Sequence, residues 1–126
     1  MIYSLIVFLF NPRYVYFMKT EVTDLVVSEF AKRVRSGLGS KVHAVYWFGS
    51  RARGEGTFDS DYDLLLESAD PLSLQERDLV TDISVDISGR NRVLLDVHYA
   101  RCEKMHGLKR FITPFRDVVL SEGIVL

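Results

Sequence analysis

The sequence predicts one α/β domain with a small mixed central sheet flanked by helices. Three observations carry that expectation. Ala44–Phe48, Tyr62–Glu67 and Val93–Tyr99 are short apolar runs with β-branched or aromatic residues, bounded by glycine and polar turns as strands are. They alternate with stretches of helical periodicity, in the order helix, strand, loop, strand, helix, strand, helix. The 126 residues fit a single domain, and 48% hydrophobic with 26% charged residues is a globular composition.

The chain opens on an anomaly. Of residues 1–17, thirteen are hydrophobic and Arg13 is the single charge. The run Ile2–Phe10 falls short of the roughly 20 apolar residues that span a bilayer, and Asn11-Pro12-Arg13 interrupts it. A signal peptide would carry positive charge before the apolar run and small residues at a cleavage site, and neither is present. Two readings stay open. Residues 1–17 are an apolar extension that packs on the domain or on a partner, or they come from a misplaced start, with Met18 the natural first residue. Either way residues 18–126 form the domain.

Residues 20–36 read as the first helix, with Val22, Leu25, Val26, Phe30 and Val34 on one face and Gly37 and Gly39 as the stop. The first strand follows and Gly49 ends it. Residues 49–60, with three glycines, make a loop that has room for a short helix. After the second strand, Asp70-Pro71 can start the next helix, and Ser73 with Glu76 offers a slightly later capping box. Leu72, Leu79, Ile83 and Ile87 give its apolar stripe, and Gly89 is read as its end. The third strand follows. Residues 111–121 read as a last short helix, or two pieces around Pro114, before the apolar end Ile124–Leu126.

Charge and cysteine content narrow the function. Lys+Arg is 16 against Asp+Glu 17, a net charge of −1, so no basic field is available to hold nucleic acid. The single cysteine, Cys102, excludes an internal disulfide and suits a reducing cytoplasm. Cys102-x-x-x-His106 supplies two candidate zinc ligands, too few for a site of its own.

The segment from Gly49 to Asp63 concentrates the chemistry. Asp61 and Asp63 are two residues apart at the start of an otherwise apolar strand, where alternate side chains share a face. Paired carboxylates repel and are costly to desolvate, and a hard divalent cation such as Mg²⁺ relieves both penalties. Gly49-Ser50 lies at the end of a buried strand, where glycine lets backbone N–H groups approach an anion and the serine hydroxyl can reach a phosphate oxygen. Asp96 is the lone acid inside the third strand. If it is buried beside the second strand, it completes a carboxylate triad, and such a triad with a Gly-Ser loop describes two-metal phosphoryl or nucleotidyl transfer. Arg51 and Arg53 can steady triphosphate oxygens or pair with Glu55 and Asp59. His98 shares the face of Asp96 and reads as a site support or as a core or edge histidine. Tyr62 points away from the two acids and reads as packing.

Gly-Ser, ten residues, then Asp-x-Asp resembles the signature of the DNA polymerase β-like nucleotidyltransferase superfamily. Gly49-Ser50-Arg51-Ala52-Arg53-Gly54-Glu55 with Ser60-Asp61-Tyr62-Asp63-Leu64 is similar to its minimal nucleotidyltransferase (MNT) branch over residues 20–126. The resemblance implies a polymerase β-like fold. It implies that Gly49 and Ser50 hold the triphosphate of ATP, that Asp61 and Asp63 bind Mg²⁺, and that Asp96 is the third metal carboxylate. In this family the larger transferases add acceptor-binding domains, so a chain of this length implies an acceptor supplied by a partner or by another copy of the chain. The MNT branch pairs with a helical HEPN RNase toxin and acts as antitoxin in a type VII-like toxin–antitoxin pair by transferring AMP from ATP to a toxin tyrosine. The alternatives are an antitoxin that neutralises its partner by contact alone, and a free-standing transferase for a small hydroxyl acceptor. The expected location is cytoplasmic.

Overall fold

A computed structural model describes residues 24–102, 105 and 114–126. Residues 1–17, His106 and the start of the last predicted helix lie outside the described residues. In chain order the elements are helix α1 (Leu25–Leu38), a 3₁₀ turn (Gly39–Lys41), strand β1 (Val42–Phe48), short helix α2 (Gly49–Ala52), strand β2 (Tyr62–Ser68), helix α3 (Leu74–Asn91), strand β3 (Leu95–Arg101), helix α4 (Pro114–Glu122) and strand β4 (Ile124–Val125).

The strands form one mixed sheet in the order β3-β2-β1-β4. β1 is antiparallel to both β2 and β4, whereas β2 and β3 are parallel and joined through α3. Period-2 alternation splits the sheet into two faces. Val45, Trp47, Leu64 and Leu66 meet Val27, Phe30 and Val34 of α1 and Val80, Ile83 and Ile87 of α3 in one core. Ala44, Tyr46, Phe48 and Leu65 form a smaller core on the other face with Met105 and Val119.

Local chemistry explains where the elements begin and end. Asp24 caps α1: its Oδ1 accepts from the backbone N–H of Val26 at 2.9 Å and of Val27 at 3.4 Å. The buried face of α1 is Val27, Phe30, Ala31, Val34 and Leu38, while Leu25, expected in the stripe, is 84% exposed. The start of α3 is the Ser73–Glu76 capping box, with Ser73 N–H donating to Glu76 Oε1 at 2.9 Å and Glu76 N–H to Ser73 Oγ at 3.2 Å. Gly89 does not end α3. The helix runs on to Asn91 and turns at Arg92, which takes a left-handed conformation with φ 53°. A side chain at Gly89 would meet open space, so nothing there forces the chain out of the helix. Gly37 instead serves packing, because a Cβ there would lie 2.7 Å from Leu79 Cδ2 across the α1–α3 contact. Surface ion pairs Arg33–Asp86 and Arg90–Glu29 bridge the same two helices.

Candidate functional site

The site gathers where the C-terminal end of β1 meets the N-terminal ends of β2 and β3, on the sheet face of the smaller core. Gly49 follows β1 with φ 81°, a left-handed conformation that L side chains rarely adopt. A Cβ built on it would lie 2.1 Å from Asp63 Oδ2, so the Asp63 carboxylate rests directly against the Gly49 backbone. This contact joins the Gly-Ser turn to the Asp-x-Asp segment, and only a residue without a side chain permits it.

Asp63 pairs with Asp96 in the parallel β2–β3 register. Asp63, Asp96 and His98 each offer a ligand atom, and these atoms lie within 4.8 Å of one another. His98 Nε2 is 3.2 Å from Asp96 Oδ2, and its ring tilts against Phe48 at 5.8 Å between centroids. Burial pushes the Asp63 carboxyl up from its ordinary value. The charges of Asp96 and Asp61 act in the same direction, and His98 and Arg53 oppose them. A half-buried acid under like-charge repulsion is a group that a divalent cation would stabilise, so the donor set fits one.

The placement differs in part from the sequence expectation. Asp61 ends the loop one residue before β2 and is exposed. Its charge reaches Asp63, but Asp61 is not among the three residues drawn together. The two acids interact through charge, with Asp61 approaching from the loop and Asp63 from the strand. Asp96 is also not buried: β3 is an edge strand and its side chain is 51% exposed. Its proximity to Asp63 follows from strand register and not from a need to neutralise a buried acid. His98, which the sequence allows as a site support or as a core or edge histidine, stands within the cluster. Its spacing of two from Asp96 was the available signal.

The loop around the site is held by one cation. Arg51 donates from Nε to the Ser60 carbonyl at 2.5 Å and from Nη2 to the Phe58 carbonyl at 2.9 Å. Its guanidinium lies over the Tyr62 ring at 4.4 Å, and the Tyr62 hydroxyl donates to Asp24 Oδ2 at 2.9 Å. Trp47 stacks on Tyr62 at 6.0 Å. A Cβ at Gly56 would sit 3.0 Å from Arg51 Cα, so that glycine lets the loop close over the arginine. Arg51 thus points into the loop that presents Asp61, while Ser50 is half-buried beside it in α2. Arg53 spans two exposed carboxylates, Glu55 and Glu122, each at 3.0 Å. Tyr62 packs as expected, and its hydroxyl additionally ties β2 to the α1 cap.

A family model described as a nucleotidyltransferase domain matches residues 27–124. Among solved structures, a chain of a toxin–antitoxin complex crystallised with AMP-PNP superposes with a TM-score of 0.53 at 18% identity, covering 76% of this chain and 68% of that one. A chain of a mutant MntA-HpeT toxin–antitoxin complex gives 0.55 at 22% identity, covering 82% and 72%. These likenesses establish a shared fold. No curated protein matches the sequence significantly. Among the described residues, no helix is long and apolar enough to cross a membrane.

Proposed function

Since this chain belongs to the nucleotidyltransferase domain family, we propose that it transfers AMP from ATP to a hydroxyl, in the first instance a tyrosine, of a HEPN-type toxin partner and so acts as that partner's antitoxin. The observation that carries the reading is the Asp63 carboxylate seated on Gly49 and in register with Asp96. That arrangement brings a phosphate-compatible turn and two acids to one point of the sheet. Two solved structures with this fold are toxin–antitoxin complexes, one of them with AMP-PNP, which supports both the nucleotide and the partner class.

Each residue takes a definite part. Gly49 and Ser50 receive the triphosphate through backbone N–H groups and the serine hydroxyl. Asp61, Asp63 and Asp96 are the oxygen donors for Mg²⁺, which when bound supplies charge stabilisation to the entering and leaving oxygens. The acceptor oxygen forms a bond to the α-phosphorus as the bond to the β-phosphate bridging oxygen breaks, and pyrophosphate departs with that electron pair. Asp96, exposed on the edge strand, takes the acceptor proton, with His98 at 3.2 Å positioned to share it. Arg51 fixes the loop that presents Asp61. Arg53 reaches phosphate oxygens only by releasing Glu55 and Glu122. The exposed acceptor side suits a protein substrate in a cytoplasmic pair.

The test is intact-mass measurement of a HEPN-type partner after incubation with this chain, Mg²⁺ and ATP. One or more AMP increments are expected, and none with Asp63→Asn. An unmodified partner that is nonetheless silenced would favour neutralisation by contact.

A further inference from the structure

The face that carries Asp63 holds a second group of donors at its far end. His43, Glu67 and Cys102 each present one ligand atom, and the three atoms lie within 4.8 Å of one another. Glu67 follows Asp63 by four residues on the same face of β2, a separation of about 13 Å along a strand. The two groups therefore do not share a cation.

Three adjacent strands bring these residues together. Cys102 directly follows β3, where alternation from Asp96, His98 and Ala100 carries it to this face. Glu67 is fully buried near the end of β2. His43 reaches the group through a break in register. Val42 pairs with Ser68 and Ala44 with Glu67, so two steps on β1 match one on β2. The effect on the two cores is direct: Val42 packs with Val45 and Trp47 on the helix-covered face, whereas Ala44 packs with Tyr46 and Phe48 on the other. Regular alternation from Val45 and Trp47 would send His43 to the helix-covered face. The bulge turns it over to Glu67 instead, with Nε2 at 3.9 Å from Glu67 Oε2.

We propose that His43, Glu67 and Cys102 form a zinc-type metal site that clips β1, β2 and β3 together at the end of the sheet away from Asp63. Imidazole, carboxylate and thiolate are the donor types Zn²⁺ takes, and three protein ligands with a water in the fourth position is an established arrangement. Bond lengths of about 2.0–2.3 Å set neighbouring ligand atoms roughly 3.3–3.6 Å apart. His43 Nε2 and Glu67 Oε2 at 3.9 Å are within about half an ångström of that spacing, and Cys102 lies inside 4.8 Å of both. Tyr46 stands as the outer support, its hydroxyl donating to Glu67 Oε2 at 3.4 Å. The His43 side chain, 54% exposed, gives the ion a way in. The sequence offered Cys102 only His106 as a neighbour; the fold supplies two other partners.

The test uses the full chain, stripped with chelator and titrated with Zn²⁺ or Co²⁺. Wild type is expected to take up one equivalent at this site, to show thiolate-to-cobalt charge-transfer absorption, and to unfold at a higher temperature with Zn²⁺ than without. Cys102→Ser and His43→Ala should lose the absorption and the thermal shift, and His98→Ala should keep both. The proposal is overturned if wild type shows no thiolate absorption with Co²⁺, or if the Zn²⁺ response survives Cys102→Ser and disappears in His98→Ala, which would assign the ion to the Asp63 cluster.

Discussion

Replacing Gly49 by alanine strikes the contact on which the site depends, and its two consequences can be separated. At φ 81° an alanine carries the left-handed penalty, about 1–2 kcal/mol. Its Cβ would also fall 2.1 Å from Asp63 Oδ2, where ordinary contacts begin above 3 Å, so the carboxylate must retreat by about 1 Å. A displacement of that size at a reacting centre costs on the order of 100-fold in turnover. Gly54 is the built-in control: its φ is 75°, yet a Cβ there meets nothing within 4 Å. Gly54→Ala should therefore share the stability loss and keep the activity. Thermal unfolding reports the first effect, a drop of about 4 °C per kcal/mol for a chain of this length. Nucleotide binding and transfer with Mg²⁺ report the second. Equal loss of transfer in both variants, or full transfer in Gly49→Ala, would refute the claim that the glycine exists to seat Asp63.

Other expectations follow from the same structure. Arg51→Lys keeps the charge but loses the fork to Ser60 and Phe58 and the stacking on Tyr62. Backbone amides of residues 57–60 should exchange faster with deuterium and transfer should fall about tenfold or more; unchanged exchange would show that the arginine does not hold the loop. Glu76 is held down to about 2 by its hydrogen bond with Lys41 and then by the Ser73 cap, so the stability it contributes is present above its ordinary value of 4.5 and is lost as pH falls toward 2. Glu76→Gln should lower the melting temperature at neutral pH, with the gap to wild type closing on acidification; a gap independent of pH would contradict the charged cap. Ile87→Ala, fully buried between α3 and the sheet, should cost about 2–5 kcal/mol in urea unfolding, and a cost under 1 kcal/mol would place Ile87 outside the core.

Much of the fold was legible because strong local signals agreed with it. The three long strands, the capping box at Ser73 and the short helix after Gly49 stand where the residues indicated. The errors have physical causes. In α1, Phe30 and Val34 are buried as the stripe indicated and Val26 packs at the core's edge, but Leu25 faces solvent and Val27, Ala31 and Leu38 complete the buried face. Strand β4 is two residues long, below any periodicity, and exists only because β1 offers it an edge. Gly89 reads as a stop in the sequence, yet it sits on the exposed side of α3 and the helix continues through it to Asn91. At the site, spacing sufficed to bring Gly49, Asp61 and Asp63 into one segment. It could not reveal that Asp63 touches Gly49, that Asp61 stays in the loop, or that Asp96 lies on an exposed edge, since each depends on strand order. The bulge that turns His43 over has no sequence mark.

The central claim is that Gly49 and the carboxylates of β2 and β3 form a metal-dependent nucleotide site, and calorimetric titration with a non-hydrolysable ATP analogue tests it most directly. With Mg²⁺ present the wild-type chain should bind the analogue at one site. Binding should weaken by at least about tenfold when Mg²⁺ is chelated or when Asp63 is changed to Asn. Equal affinity with and without Mg²⁺, or full Mg²⁺-dependent affinity in Asp63→Asn, would contradict it.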